Sequence, residues 1–269
     1  MAKMLKHVQV TPGEAASLSK RNPNARAGLP ERTATAELVA EDLAKLQELQ
    51  YRLTAEARRS VLVVLQGMDA SGKDGVVRHV FSGVNPQGCK VTSFKAPSPV
   101  ERSHDFLWRI HAALPSAGEI GIFNRSHYED VVAASVVGAI TPTERALRYG
   151  QINQFESMLA AEGMTVVKVF LHVSKDEQKR RLEERLADPK KHWKFNLADL
   201  DTRAHWDEYQ HLYSTALTAT STAHAPWYVV PADRKWVRDA VISRLLVATL
   251  ERMKPKFPDP LIPANTKIR

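Results

Sequence analysis

The chain of 269 residues holds a single cysteine, Cys89, so no disulfide can form within it and the small disulfide-stapled scaffolds are excluded. It lacks any uninterrupted apolar run near the roughly 18 residues a membrane helix needs. The start, Met1 to His7, has no apolar stretch of the signal-peptide kind, and a soluble, cytoplasmic protein with no membrane partner is expected. Glycine and proline, 12 and 15 residues, form about a tenth of the chain, and no internal repeat or low-complexity tract interrupts it. Collagen-like, mucin-like and wholly disordered classes are thereby excluded.

What is present is ordinary globular composition, 43% hydrophobic and 25% charged, with length for one large domain. Lys and Arg outnumber Asp and Glu, 38 to 30, giving a formal net charge of +8. Part of the surface should therefore attract polyanions: nucleic acid, nucleotides or inorganic phosphate chains. Cys89, at the start of a strand-like run, reads as a small buried hydrophobe.

Residues 1–33 carry Pro12, Pro23 and Pro30 and no sustained period, which predicts an arm laid over the domain or a partly ordered tail. The main domain is expected over 34–255 and a C-terminal tail over 256–269. From Thr35, the positions Val39, Leu43, Leu46, Leu49 and Leu53 follow helical spacing. Five short apolar runs predict strands: Ser60 to Gln66, Lys90 to Phe94, Ile120 to Phe123, Thr165 to Val173 and Trp227 to Val230. Helical patterns lie between them at Val76 to Phe81, Ser103 to Leu114, Tyr128 to Val137, Thr143 to Ala161 and Lys175 to Ala187. Thr141-Pro142-Thr143-Glu144 and Ser174-Lys175-Asp176-Glu177 match capping boxes. This alternation predicts an α/β protein with a doubly wound parallel sheet, whose ligands bind beyond the carboxyl ends of the strands. The cation-rich stretch Asp188 to Asn196 breaks the pattern and reads as a loop or lid.

The sharpest motif is Gly67-Met68-Asp69-Ala70-Ser71-Gly72-Lys73-Asp74-Gly75, directly after a buried strand and before a helix. It fits G-x-x-x-x-G-K, in which backbone N–H groups, here those of Ala70, Ser71, Gly72 and Lys73, converge on a phosphate and the lysine adds charge. The alternative is a glycine-rich turn with no ligand. Asp74 stands where a Ser or Thr usually holds Mg²⁺, and Asp69 is either a Mg²⁺ ligand through water or a turn-forming residue.

A second constellation, Gly121 to Asp130, ends the third strand. There Arg125 offers a planar fork for phosphate oxygens, and Glu129 and Asp130 are either Mg²⁺ ligands or first-turn acids. His127 reads as a structural residue, because phosphoryl transfer to a phosphate needs charge neutralisation and alignment more than a base. A third is the basic stretch with Arg180, Arg181, Arg185, Lys190, Lys191, His192 and Lys194: a solvated helix face, or a lid that closes over phosphates. Trp193 and Phe195 raise the question of base stacking, whereas Trp206, Tyr209 and Tyr213 are expected in the core. Lys95 and Arg109, after the second strand, are candidate phosphate contacts.

Together, Gly67-x-Asp69-x-x-Gly72-Lys73-x-Gly75, Asp105-Phe106-Leu107-Trp108-Arg109, Phe123-Asn124-Arg125-Ser126-x-Tyr128, Asp188-Pro189-x-Lys191-x-Trp193-Lys194 and Trp227 to Trp236 resemble the polyphosphate kinase type 2 family. The resemblance runs from about residue 34 to 255. It implies a P-loop kinase fold, three-layer α/β/α with a five-stranded parallel sheet and a helical lid at about 178–200. It also implies Mg²⁺ dependence, reversible transfer between inorganic polyphosphate and AMP, ADP or ATP, and a homodimer or homotetramer; no nucleic acid is expected as a partner. Asp69 and Lys73 would be the catalytic residues of the loop, Arg125 a phosphate clamp, and Arg181, Arg185 and Lys194 lid cations. Many relatives carry Asp where this chain has Asn124, so Glu129 or Asp130 would compensate for the lost metal ligand. The form Phe-Asn-Arg-Ser-x-Tyr-Glu-Asp resembles the branch that phosphorylates AMP as well as ADP. The rivals are an ATP-dependent nucleoside monophosphate or small-molecule kinase and a non-catalytic polyanion- or nucleic-acid-binding protein.

Overall fold

The computed structural model describes residues 2–260, 262 and 266–268; of the arm, Met1, and of the tail, residues 261, 263–265 and 269, lie outside the described residues. The elements in chain order are α1 (Ala2–Val8), α2 (Arg32–Glu56), β1 (Ser60–Gln66), α3 (Lys73–Val80), β2 (Cys89–Ser93), α4 (Pro99–Arg102), α5 (Trp108–Ala112) and β3 (Ile120–Asn124). There follow α6 (Ala133–Val136), α7 (Pro142–Ala161), β4 (Met164–His172), α8 (Lys175–Ala187), α9 (Ala198–Ala204), α10 (Trp206–Thr220), β5 (Trp227–Pro231) and α11 (Lys235–Met253). Among the described residues the five strands form one parallel sheet in the order β2-β3-β1-β4-β5. One helical layer gathers α1, α2 and α3 around α11, and the other packs α6 and α7 against α10. No helix of the described residues is long and apolar enough to cross a membrane.

All seven residues of β1 are buried, as expected for a central strand covered on both faces. Trp206, Tyr209 and Tyr213 lie in the core as expected. The arm contributes to that core as well: Met4, Val8, Val10, Ala16 and Leu18 are buried, and Val10 N–H donates to Trp227 O at 2.8 Å.

Four local expectations need correction. The helix expected over 128–137 is confined to Ala133–Val136, because Ser126 Oγ accepts from Tyr128 N (3.2 Å) and three-residue turns follow. The helix expected over 103–114 is confined to α5, Trp108–Ala112, with Asp105 Oδ1 accepting from Leu107 N (2.9 Å) just before it, and α4 ends at Arg102 outside that span. Thr141 and Glu144 form a full capping box, whereas at Ser174 only half forms, since the Glu177 carboxylate turns to Arg180 and Arg181. Cys89, expected to be buried, is only half-buried, at the edge of the sheet.

Candidate active site

The loop between β1 and α3 sits at the carboxyl end of the sheet. Gly72, at φ 105°, caps α3 in a left-handed conformation, and no side chain caps that helix. Its first-turn N–H groups are therefore left for an external acceptor, and the helix dipole favours an anion there. Lys73 is buried, and its Nζ donates to the loop carbonyls of Gly67 (2.7 Å) and Met68 (3.2 Å). Burial pulls its pKa below the ordinary lysine value, partly offset by Asp69.

Register places Asn124 of β3 beside Leu65 of β1, so the two strands deliver their following loops to one point. Arg125, at φ 64°, donates its backbone N–H to Leu65 O (3.1 Å) and Nη2 to Asp69 Oδ1 (2.7 Å). Burial lowers the Arg125 pKa, but Glu129 and Asp69 outweigh it and hold the guanidinium above its ordinary value. Asn124 Nδ2 donates to Asp74 Oδ1 (2.7 Å), so the two departures from the usual motif pair with each other. The Gln66 carboxamide donates to Glu129 Oε1 (2.9 Å) and accepts from Ser126 Oγ (3.1 Å). Burial raises the Glu129 pKa, opposed by Arg125 and Lys73. Asp69, Lys73, Arg125 and Glu129 thus share one site.

Other expected site residues are placed differently. All five N–H donors of Arg181 are taken: Nε by Glu177 (2.7 Å), Nη1 by Ala70 O (2.9 Å) and Ser71 O (3.1 Å), and Nη2 by Ala232 O (2.6 Å) and Asp233 O (3.0 Å). The expectation of Arg181 as a lid cation is corrected: it braces the loop against the end of β5. Asp130, expected as a metal ligand, instead gives its carboxylate to Arg109 (3.0 Å). Arg109 also donates to Lys95 O (2.8 Å), so this buried guanidinium orders the stretch after β2, while the Lys95 side chain is exposed. Arg185 ties the lid together through Lys194 O (3.2 Å) and Asp199 Oδ2 (3.3 Å). Lys194 is exposed, with its ammonium 4.9 Å from the centre of the Trp193 ring.

The sequence reading misses a buried network beneath Arg125. Lys168 Nζ donates to Glu156 Oε2 (2.5 Å), Tyr128 OH (3.0 Å) and Thr220 O (2.6 Å), and Glu156 Oε1 accepts from Tyr128 OH (2.9 Å). The signal was a lone lysine inside the apolar run Val166 to Leu171. His127, buried with Nε2 3.4 Å from Glu156 Oε1, belongs to this network, consistent with a structural residue.

No group of three or more His, Cys, Asp or Glu side chains able to hold a metal occurs among the described residues. The donors near the loop are nevertheless all hard oxygens: Asp69 and Glu129 at the site, and Asp74 beside it. Mg²⁺ commonly takes one or two carboxylates and completes its shell with water and substrate phosphate, so this donor set fits it.

The sequence pattern of the family Polyphosphate kinase 2 (PPK2) matches residues 29–258. An AMP/ADP-polyphosphate phosphotransferase of Meiothermus ruber is 52% identical over 218 residues, 81% of this chain and 80% of that protein. An ADP-polyphosphate phosphotransferase of Rhodopseudomonas palustris is 44% identical over 243 residues, 86% of this chain and 84% of that protein. The crystal structure of polyphosphate kinase 2 from Arthrobacter aurescens TC1 is similar at a TM-score of 0.93 and 43% identity, covering 97% of this chain and 94% of that one. With a match across most of its length and relatives aligned over most of theirs, the chain belongs to the polyphosphate kinase 2 family.

Proposed function

We propose that this chain transfers phosphoryl groups reversibly between inorganic polyphosphate and a nucleotide, acting on AMP and ADP. The observation that carries the reading is the uncapped start of α3 facing the Asp69–Arg125 pair, with Lys73 between them. The Meiothermus ruber relative, named for AMP and ADP, supports the acceptor pair.

In the forward direction, a terminal phosphate oxygen of the nucleotide attacks the terminal phosphorus of the chain. The bridging P–O bond breaks, and a polyphosphate one unit shorter leaves. The acceptor oxygen is already ionised, so no side chain has to remove a proton. The free N–H groups at the start of α3, with Lys73 and the Arg125 fork, neutralise the equatorial oxygens of the transferring group. Asp69 fixes the fork by its 2.7 Å ion pair. When Mg²⁺ is bound, Asp69 and Glu129 would hold it, and the chemistry it supplies is neutralisation of charge between donor and acceptor. The exposed Lys190, Lys191 and Lys194 of the lid provide a path for the donor polyanion, and Lys95 a contact for the acceptor. Assembly as a homodimer or homotetramer belongs to the same reading and is measured by light scattering.

The test is incubation with long-chain polyphosphate and Mg²⁺, without ATP, and with AMP, ADP or GDP in parallel. ADP and ATP should form from the adenine nucleotides. Transfer only when ATP is the donor would overturn the reading.

A further inference from the structure

Arg238 lies in the first turn of α11, two residues past the Trp227 to Trp236 motif, and is 1% exposed. Its Nε donates to Asp239 Oδ1 (2.8 Å), and Nη2 stands 2.7 Å from the same oxygen, so the guanidinium is held in an ion pair. The guanidinium presses on the rear of the phosphate loop. A Cβ on Gly72 would fall on Arg238 Nη1, and one on Gly75 would lie 3.0 Å from Nη2, 3.2 Å from Nη1 and 3.4 Å from Cζ. Gly72 has a positive φ that already calls for glycine, but Gly75, the third residue of α3, has none. Glycine is a poorer helix former than alanine, so backbone geometry does not account for Gly75. The space that Arg238 occupies does.

Arg181 stands on the other side of the same glycine, its Nη1 3.7 Å from the position of a Gly72 Cβ. Because Arg181 holds Ser71 O (3.1 Å) and the peptide is planar and trans, the Gly72 N–H is turned away from Arg181. Two buried guanidinium groups therefore back the loop. Burial lowers the Arg181 pKa, and Arg238 lowers it further against the pull of Glu177 and Asp233.

We propose that Arg238 is a positioning residue for the phosphate loop, and that Gly75 carries no side chain so that the Arg238 guanidinium can close against the rear of Gly72. The inference rests on the loop holding phosphate. Gly75→Ala, Arg238→Met, Arg238→Lys and the double variant Gly75→Ala/Arg238→Met would be compared for KM and kcat with polyphosphate and ADP. The melting-temperature rise caused by inorganic tripolyphosphate would be read alongside. Gly75→Ala should lose roughly tenfold or more in kcat/KM for polyphosphate, with a smaller tripolyphosphate shift. Arg238→Met should lose at least as much, Arg238→Lys should recover part of it, and the double variant should be within about twofold of Arg238→Met.

Wild-type kinetics and an undiminished tripolyphosphate shift in Gly75→Ala would overturn the proposal, as would losses that multiply in the double variant. If Arg238→Met does not fold, Gly75→Ala decides alone. Absence of transfer in the wild type would instead count against the proposed function, whereas the tripolyphosphate shift still reads the loop.

Discussion

Arg125 and Arg181 both reach the loop, and their hydrogen bonds separate their roles. The first uses one arm of its fork on Asp69 and keeps 39% of its side chain exposed; the second has no donor left. Charge in a sequence does not reveal where N–H groups go, which is why Arg181 reads there as a lid cation and Arg238 is not marked at all. Gly75 was a usable sign, a first-turn helix glycine without a positive φ and awaiting a spatial reason. In the proposed reaction, Lys73→Met and Arg125→Lys should each lower kcat/KM by roughly 10²–10⁴, from the loss of preorganised charge. A coupled ATP assay giving values within threefold of wild type for either variant would remove that residue from the mechanism. Cys89 supplies a pH test. Burial pushes its thiol up to about 11 from an ordinary value near 9, so at pH 8 the folded protein should be alkylated roughly 100-fold more slowly than the unfolded chain. The folded-state rate should climb about tenfold per pH unit up to pH 10; a rate already level by pH 9 would contradict the shift.

Among the elements, the strands were legible within one residue at either end, because buried parallel strands leave continuous apolar runs. The segment after β3 was not, since its apolar and aromatic residues suit a helix equally well. What decides there is tertiary: Tyr128 is drawn into the core by Glu156 and Lys168. That network links β4, α7 and α10 beneath the loop that carries Arg125. Lys168→Met should cost about 3–5 kcal/mol in urea unfolding by stranding Glu156, whereas Lys168→Met with Glu156→Leu should recover most of it. Equal losses in the single and double variants would show that the charges do not act as a pair. Burial pushes Glu156 up, but Lys168 and His127 outweigh it and leave the carboxyl below its ordinary value. Its contribution is therefore present above the ordinary carboxylate range and lost as pH falls through its folded value. Wild-type stability should drop more steeply on acidification than that of the double variant.

For the whole molecule, the fold class could be read from alternating patterns, but the order β2-β3-β1-β4-β5 could not, because neighbours across a sheet are far apart in sequence. The arm was equally obscure: it has no period, yet Leu18 is 2% exposed within the core. Leu18→Ala should therefore cost about 2–5 kcal/mol, as for an interior leucine, and a loss under 1 kcal/mol by urea titration would make the arm an appendage. The arm also bridges Gln9 to Tyr228 antiparallel, on the side of β5 away from β4. One border of the sheet is thus shielded, and the other, β2, is five residues long with Lys90 exposed. A strand from a neighbouring molecule finds only that brief cationic rim to pair with, so crowding alone gives fibrils little foothold.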